Sequence, residues 1–230
     1  MRQLIADKED TAQVFRIVKA LSGNSYYRNF NRFMKSSDGR RIASDRADLL
    51  ETLCDRKRLA TCASGTLGRA YLDFVYGEGL TAEGLAEASE AGGLEDLGDP
   101  DVSLYRRRLR DSHDLFHVVT GYGRGALGEL CVLSFGNAQF YNHGIAFILG
   151  VGIPKMKLEA AQLPVARAAF EAWRRGRAAA DLTTFYWEEN LDRPLEDVRR
   201  ELRLRPPETY QRVRALSEQL ERDYQAVRQA

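Results

Sequence analysis

Histidine is scarce in this chain of 230 residues, occurring only 3 times, at His113, His117 and His143. That scarcity excludes several reactions. An HD-type phosphohydrolase needs a histidine upstream of its His-Asp pair, and His113 is the first in the chain, with no later His-Asp dipeptide. A zincin needs His-Glu-x-x-His, and Asp114 follows His113 here. The Asp-Asp-x-x-Asp motifs of a prenyl synthase are missing. Cysteine is equally sparse: Cys54, Cys62 and Cys131 are odd in number and form no close pair. They support neither a disulfide framework nor a cysteine zinc site, and they fit a reducing compartment. No charge sign prevails, with Lys+Arg 34 against Asp+Glu 33. No global field draws nucleic acid, and Arg106-Arg107-Arg108 and Arg174-Arg175 read as solvated helix faces. Met1 to Asp7 lacks an apolar core, so neither a secretory signal nor a transit peptide is expected.

Helical periodicity dominates what is present, and strand alternation is rare. Near the amino terminus the spacing predicts one apolar stripe, Val14, Phe15, Ile17, Val18 and Leu21, opposite Lys8, Arg16 and Lys19, with Asp10 as N-cap. Tyr26 to Met34 is an aromatic–basic run, and Leu49, Leu50 and Leu53 mark a short helix. Gly65-Thr66-Leu67-Gly68 reads as a turn feeding a helix from Arg69 to Tyr76. Residues 77–99, rich in glycine and acids, read as a short helix between flexible connections. Asp99 as N-cap and Pro100 at the first helical position then open a helix expected to run to Gly121.

From Leu130 to Ile153 no charged residue occurs. A helix of that length spans about 36 Å, enough to cross a bilayer. Asn137, Gln139, Asn142 and His143 interrupt its middle, however, and four glycines weaken it. The expectation is a buried central helix broken near Gly144, with His143 a core histidine whose hydrogen bond is satisfied. Beyond Pro154, Leu158 to Arg177 is predicted to be amphipathic. Pro194, followed by Glu196 and Asp197 and then Arg199 and Arg200, matches the helix dipole at both ends. Pro206-Pro207 breaks that helix, and residues 208–230 form a charged helical extension. The fold class is all-α, a single helical domain over residues 1–230 without internal repeats.

The chemistry concentrates in His113-Asp114-Leu115-Phe116-His117 and in Glu129. An α-helix advances about 100° per residue, so His113 and His117 share a face and Asp114 lies three before His117. The turn Gly121-Tyr122-Gly123-Arg124-Gly125 lets the chain reverse and brings Glu129 from a second helix. Two imidazoles and two carboxylates suit a divalent first-row metal. An isolated His-x-x-x-His is commonly a surface pair with solvated acids nearby. Three features favour a metal site instead: histidine is rare elsewhere, the acids sit at usable offsets, and Leu115, Phe116, Val118 and Val119 between them are apolar.

The set His113-Asp114-x-x-His117-(eleven residues)-Glu129 resembles the defining motif of the fourth protein of the coenzyme Q (ubiquinone) biosynthesis series. Further segments are similar in order. They are Gly65-Thr66-Leu67-Gly68-Arg69-Ala70-Tyr71-Leu72, Gly128-Glu129-Leu130, Ile148-Leu149-Gly150, Tyr186-Trp187-Glu188-Glu189, and Arg193-Pro194-Leu195 with Arg199, Glu201 and Leu202. The resemblance covers roughly residues 25 to 205. Ala63-Ser64 departs from it where relatives often carry a proline, and residues 77–99 and Asn137 to His143 look particular to this chain.

What the resemblance implies is an all-helical protein whose divalent metal, usually taken as zinc, is held by His113, Asp114, His117 and Glu129. It also implies an apolar channel for a polyprenyl lipid and attachment to the inner membrane face beside other ubiquinone biosynthesis proteins. The activity implied is oxidative removal of the ring carboxyl from a polyprenylated hydroxybenzoate, leaving a hydroxyl. An older reading is a scaffold presenting quinone intermediates to partner enzymes. The lack of a presequence suggests a bacterial member, peripheral on the cytoplasmic face of the membrane.

The residues' own chemistry leaves choices open. A metal acting as Lewis acid needs an open position. Asp114, adjacent to His113, could instead orient an imidazole, and either Asp114 or Glu129, if not a ligand, could serve as catalytic acid or base. A redox step favours iron or manganese. Phe140, Phe147, Ile148 and Leu149 are candidates to line the lipid channel, although core packing is the usual role of such side chains. The amino-terminal stripe could lie on a membrane. Expected partners are the polyprenylated hydroxybenzoate or quinone intermediate, other ubiquinone enzymes and a membrane surface, with a homodimer also open.

Overall fold

Short polar side chains set where several helices begin. Asp48 accepts from the amide of Glu51, Asp55 from that of Arg58, Thr66 from that of Arg69, and Asp99 from those of Asp101 and Val102. Each satisfies an amide that helical bonding leaves free. The computed structural model describes residues 8–77 and 98–229 and, between them, Gly84, Ala86, Glu87 and Ser89. The elements are α1 (Lys8–Ser22), α2 (Ser25–Phe33), α3 (Ser37–Asp45), α4 (Leu49–Cys54), α5 (Arg56–Thr61), α6 (Leu67–Tyr76), α7 (Pro100–Asp111), α8 (His113–Thr120), α9 (Ala126–Gln139), α10 (His143–Glu159), α11 (Val165–Ala178), α12 (Leu195–Glu201) and α13 (Glu208–Gln229), with 3-10 turns at Leu182–Thr184 and Trp187–Glu189. No strand occurs among the described residues, only an isolated antiparallel bridge between Thr66 and Pro194. The fold is all-α, as the periodicity predicts. Most of the segment 77–99, where a short helix is predicted, lies outside the described residues.

The core is built around α8 and α9. Leu115, Phe116, Val118 and Val119 of α8 are buried with Tyr71 of α6, Phe135 of α9 and Trp187. Burying side chains of this size stabilises the fold by about 1.5–3 kcal/mol each relative to exposure. Phe116 is the hub, its ring 6.3 Å from Phe135, 6.2 Å from Phe140 and 6.2 Å from Trp187. The result is that the helix carrying both motif histidines is immobilised on its far side by packing.

Several predicted elements take a different form. The helix expected from Asp99 to Gly121 is interrupted at Ser112, whose hydroxyl donates to the Leu109 carbonyl at 3.0 Å. Such back-bonding competes with the helical ladder and bends it. The charge-free stretch splits at Phe140–Asn142: α9 is buried, whereas α10 lies at the surface, with Phe147, Val151 and Leu158 exposed. Pro154 sits inside α10 on its exposed side, where the carbonyl it leaves unpaired can meet water, so Leu158 belongs to α10 and the next helix starts at Val165. In α1, Asp10 lies within the helix rather than capping it, and of the predicted stripe only Val18 is buried, against α10. His143 is exposed, its Nδ1 3.0 Å from the Ser25 hydroxyl, and is not a core residue. No helix of the described residues is long and apolar enough to cross a membrane.

Candidate metal centre

Three ligand atoms converge beside the junction of α8 and α9. His113 Nε2 and His117 Nε2 are 3.2 Å apart, and each lies 3.3 Å from an oxygen of Glu129. Ligands about 2.0–2.1 Å from a tetrahedral ion are about 3.3 Å from one another, so this triangle fits a first-row metal without rearrangement. Glu129 occupies the first turn of α9, where the helix dipole favours a carboxylate. Gly121, at φ 79°, takes the left-handed conformation that ends α8, and Gly128 abuts the Gly123 carbonyl so closely that a Cβ there would collide with it. Together these two glycines fold the turn tightly enough to bring Glu129 beside the histidines.

Electrostatics follow from this geometry. Burial disfavours the His113 imidazolium, but the hydrogen bond and charge of Glu129 outweigh it and raise the His113 pKa. Burial also opposes ionisation of Glu129, yet hydrogen bonds from His113 and His117 hold its carboxyl well below the usual carboxylate range. The carboxylate is therefore anionic at neutral pH and available as a ligand. His117 is 1% exposed, while His113 and Glu129 are 27% and 36% exposed, so the triangle is sealed behind His117 and open on its other side.

Asp114 stands outside this group, whose ligand atoms, from His113, His117 and Glu129, all lie within 4.8 Å of one another. One residue along a helix is a rotation of about 100°, which turns Asp114 away from the face that His113 and His117 share. It lies near Tyr71 of α6, whose phenol pKa is raised first by burial and then by the Asp114 charge. Cys131 is not in the group either, and burial pushes its thiol up to about 12.

Remote residues clasp the turn between the donors. Arg199 donates to the Val118 and Val119 carbonyls at 2.8 and 3.0 Å, and Arg175 to that of Thr120 at 3.0 Å, so the last carbonyls of α8 are satisfied by cations. The Phe74 ring stacks on His117 at 5.4 Å, and its carbonyl accepts from Arg124, whose guanidinium lies 4.0 Å over the same ring. His117 Nδ1 is 3.0 Å from the Tyr122 carbonyl. Sequence reasoning reached none of these, because nothing local in residues 175 or 199 marks a partner so distant in the chain. The segments 65–72 and 186–202 also meet: Leu67 and Gly68 donate to the carbonyls of Arg193 and Leu191, and Leu195 donates to that of Gly65.

Residues 4–208 match the profile of the family described as coenzyme Q (ubiquinone) biosynthesis protein Coq4. The chain belongs to the Coq4 family. It is 28% identical to the mitochondrial ubiquinone biosynthesis protein COQ4 of Eremothecium gossypii, over 93% of this chain and 64% of that protein. It is 26% identical to the Aspergillus terreus protein of the same description, over 89% of this chain and 69% of that one. The chain thus spans roughly two thirds of these relatives' length. A crystal structure from Nostoc punctiforme, described as a provisional ubiquinone biosynthesis protein, superposes with a TM-score of 0.61 at 21% identity, covering 84% of this chain and 88% of that one, and shows the shared fold.

In this Coq4 family member the four residues expected along a lipid channel do not share one face. Phe140 is half-buried on Phe116, Leu149 is buried with Leu130, Val165 and Ala169, Ile148 is half-buried, and Phe147 is 52% exposed.

Proposed function

We propose that this chain holds a divalent metal at His113, His117 and Glu129 and acts there on a polyprenylated hydroxybenzoate, exchanging the ring carboxyl for a hydroxyl. The observation that carries this reading is the triangle of donors, correctly spaced, anionic on one side and open on another. A bound metal supplies Lewis acidity toward the ring carboxylate and neighbouring phenolate; zinc is expected, with iron or manganese the choice if the ion itself exchanges electrons. His117, fully buried, fixes the inner side of the site. Glu129, hydrogen-bonded by both imidazoles, stays ionised and is a ligand rather than an acid. Asp114, outside the donor group but next to His113, is left as the group to take or give a proton. With dioxygen as a two-electron oxidant and water as the source of the hydroxyl oxygen, the exchange releases carbon dioxide and hydrogen peroxide and needs no further reductant.

The alternative is a scaffold that presents polyprenyl intermediates to other ubiquinone biosynthesis proteins. A specific observation favours a lipid-facing role in either case. The outer face of α10 carries Phe147, Val151 and Leu158, exposed by 52%, 52% and 84%, and α10 packs between α1, with exposed Val14, Ile17 and Leu21, and α11, with exposed Phe170 and Trp173. Lys155 and Lys157 flank that face. An apolar strip with a basic rim suits the surface of an anionic bilayer, and we assign the chain a peripheral position there, at the cytoplasmic face.

The deciding experiment is elemental analysis of protein purified without chelator, together with aerobic and anaerobic incubation with a polyprenyl hydroxybenzoate. Stoichiometric metal with oxygen-dependent loss of the carboxyl supports the enzyme. Metal without turnover favours the scaffold, and absence of both removes the metal reading.

A further inference from the structure

Tyr210 stands in the first turn of α13, beyond the residues matched to the family. Its ring is buried and meets that of Tyr122 edge-on, with centroids 5.2 Å apart and planes at 87°. Its hydroxyl accepts a hydrogen bond from the Gly123 amide at 2.8 Å. That amide and the Tyr122 carbonyl belong to one peptide unit, and the carbonyl faces His117 Nδ1 at 3.0 Å. A single rigid peptide plane is therefore held at one end by Tyr210 and at the other holds His117.

We propose that Tyr210 is a positioning residue for His117, fixing the tautomer and direction of the buried imidazole through that peptide. With Nδ1–H donating to the carbonyl, Nε2 is the atom left to face a bound metal, which would replace the hydrogen bond that Nε2 otherwise gives Glu129; it lies 3.2 Å from His113 Nε2 and 3.3 Å from Glu129. Engaging the amide end of a peptide polarises it and strengthens its carbonyl as an acceptor, which makes the imidazole a better electron donor. The inference rests on the reading of His117 as a metal ligand. It adds that the site is completed by a helix more than 80 residues further along the chain, between Glu129 and Tyr210.

The test is Tyr210→Phe in the full chain, which keeps the ring against Tyr122 and removes only the acceptor. Two quantities are read: solvent exchange of the His117 Nδ1 proton in metal-free protein by 15N NMR, and the zinc Kd by chelator competition. Faster exchange and a zinc affinity weakened by about tenfold, with little change in melting temperature, are expected; this is the low end of the range for groups that support a ligand. Unchanged zinc affinity in Tyr210→Phe overturns the proposal. So does a loss seen only in Tyr210→Leu, since the ring alone would then matter. Should the wild-type chain bind no zinc, the metal reading fails by itself, and the Nδ1 proton exchange still decides whether Tyr210 acts on His117.

Discussion

His113, His117 and Glu129 lie within one short stretch of chain, and that is why they were legible. A four-residue spacing, a glycine-rich reversal and a carboxylate in the next first turn are local features whose geometry follows from helix parameters. Of the open roles for Asp114, the donor group of His113, His117 and Glu129 favours those outside the ligand set, since adjacent helical residues diverge by about 100°. The Tyr122 carbonyl and the arginines over α8 were illegible, because their positions depend on how distant helices pack. His113→Ala and His117→Ala should each remove stoichiometric metal binding, read by elemental analysis. His117→Ala should also lower stability by about 1–3 kcal/mol, because it empties a fully buried position and leaves the Tyr122 carbonyl unpaired. The metal-free protein should carry a pH signature. The raised His113 pKa stabilises fully below its unfolded value, about 6.5, and this is lost as pH rises through the higher folded value. The depressed Glu129 pKa stabilises above about 4.3 and is lost as pH falls toward the folded value. Melting temperature should therefore decline as pH rises from about 6.5 through the raised folded value of His113, and Glu129→Gln should flatten that decline; an equal slope in both proteins would remove the pair as its cause.

At the level of elements the helix start at Asp99 was legible, because its cap acts within three residues, whereas Asp10 and Leu158 lie inside helices that begin earlier. Helix faces were less so. The predicted stripe of α1 mixes a core residue with exposed ones, since the neighbour that selects Val18 is α10, which no pattern within α1 reveals. Two substitutions separate these roles. Val18→Glu should unfold or strongly destabilise the chain. Phe147→Glu with Val151→Glu should leave thermal stability within about 1 kcal/mol, as expected for surface positions, and reduce sedimentation with anionic liposomes. Equal liposome binding in that double variant would rule out α10 as the lipid-facing element. Gly128→Ala tests the reversal itself: its methyl would strike the Gly123 carbonyl, so the turn must move, at a cost of about 1–3 kcal/mol and with weakened metal binding.

At the level of the whole molecule, metal binding and folding are linked, because the donors belong to helices anchored in the core. Free metal held at a hundred times its Kd stabilises a protein by about 2.7 kcal/mol, so removal by a chelator should lower the melting temperature by about 5–10 °C in a chain of this length. The His113→Ala variant should show no such shift. The fold class was legible because helical period runs through nearly the whole sequence. The joining of segments 65–72 and 186–202 was not, because it is made by backbone amides and carbonyls that every sequence possesses. The clasp between α13 and the turn after α8 has a consequence in time as well as space. A ribosome adding about 5–20 residues per second delivers Glu129 roughly 4–16 s before Tyr210. In that interval the nascent chain already owns its three ligand atoms but not the hydroxyl that steadies one of them, so a metal met during translation is held about tenfold less tightly until α13 arrives.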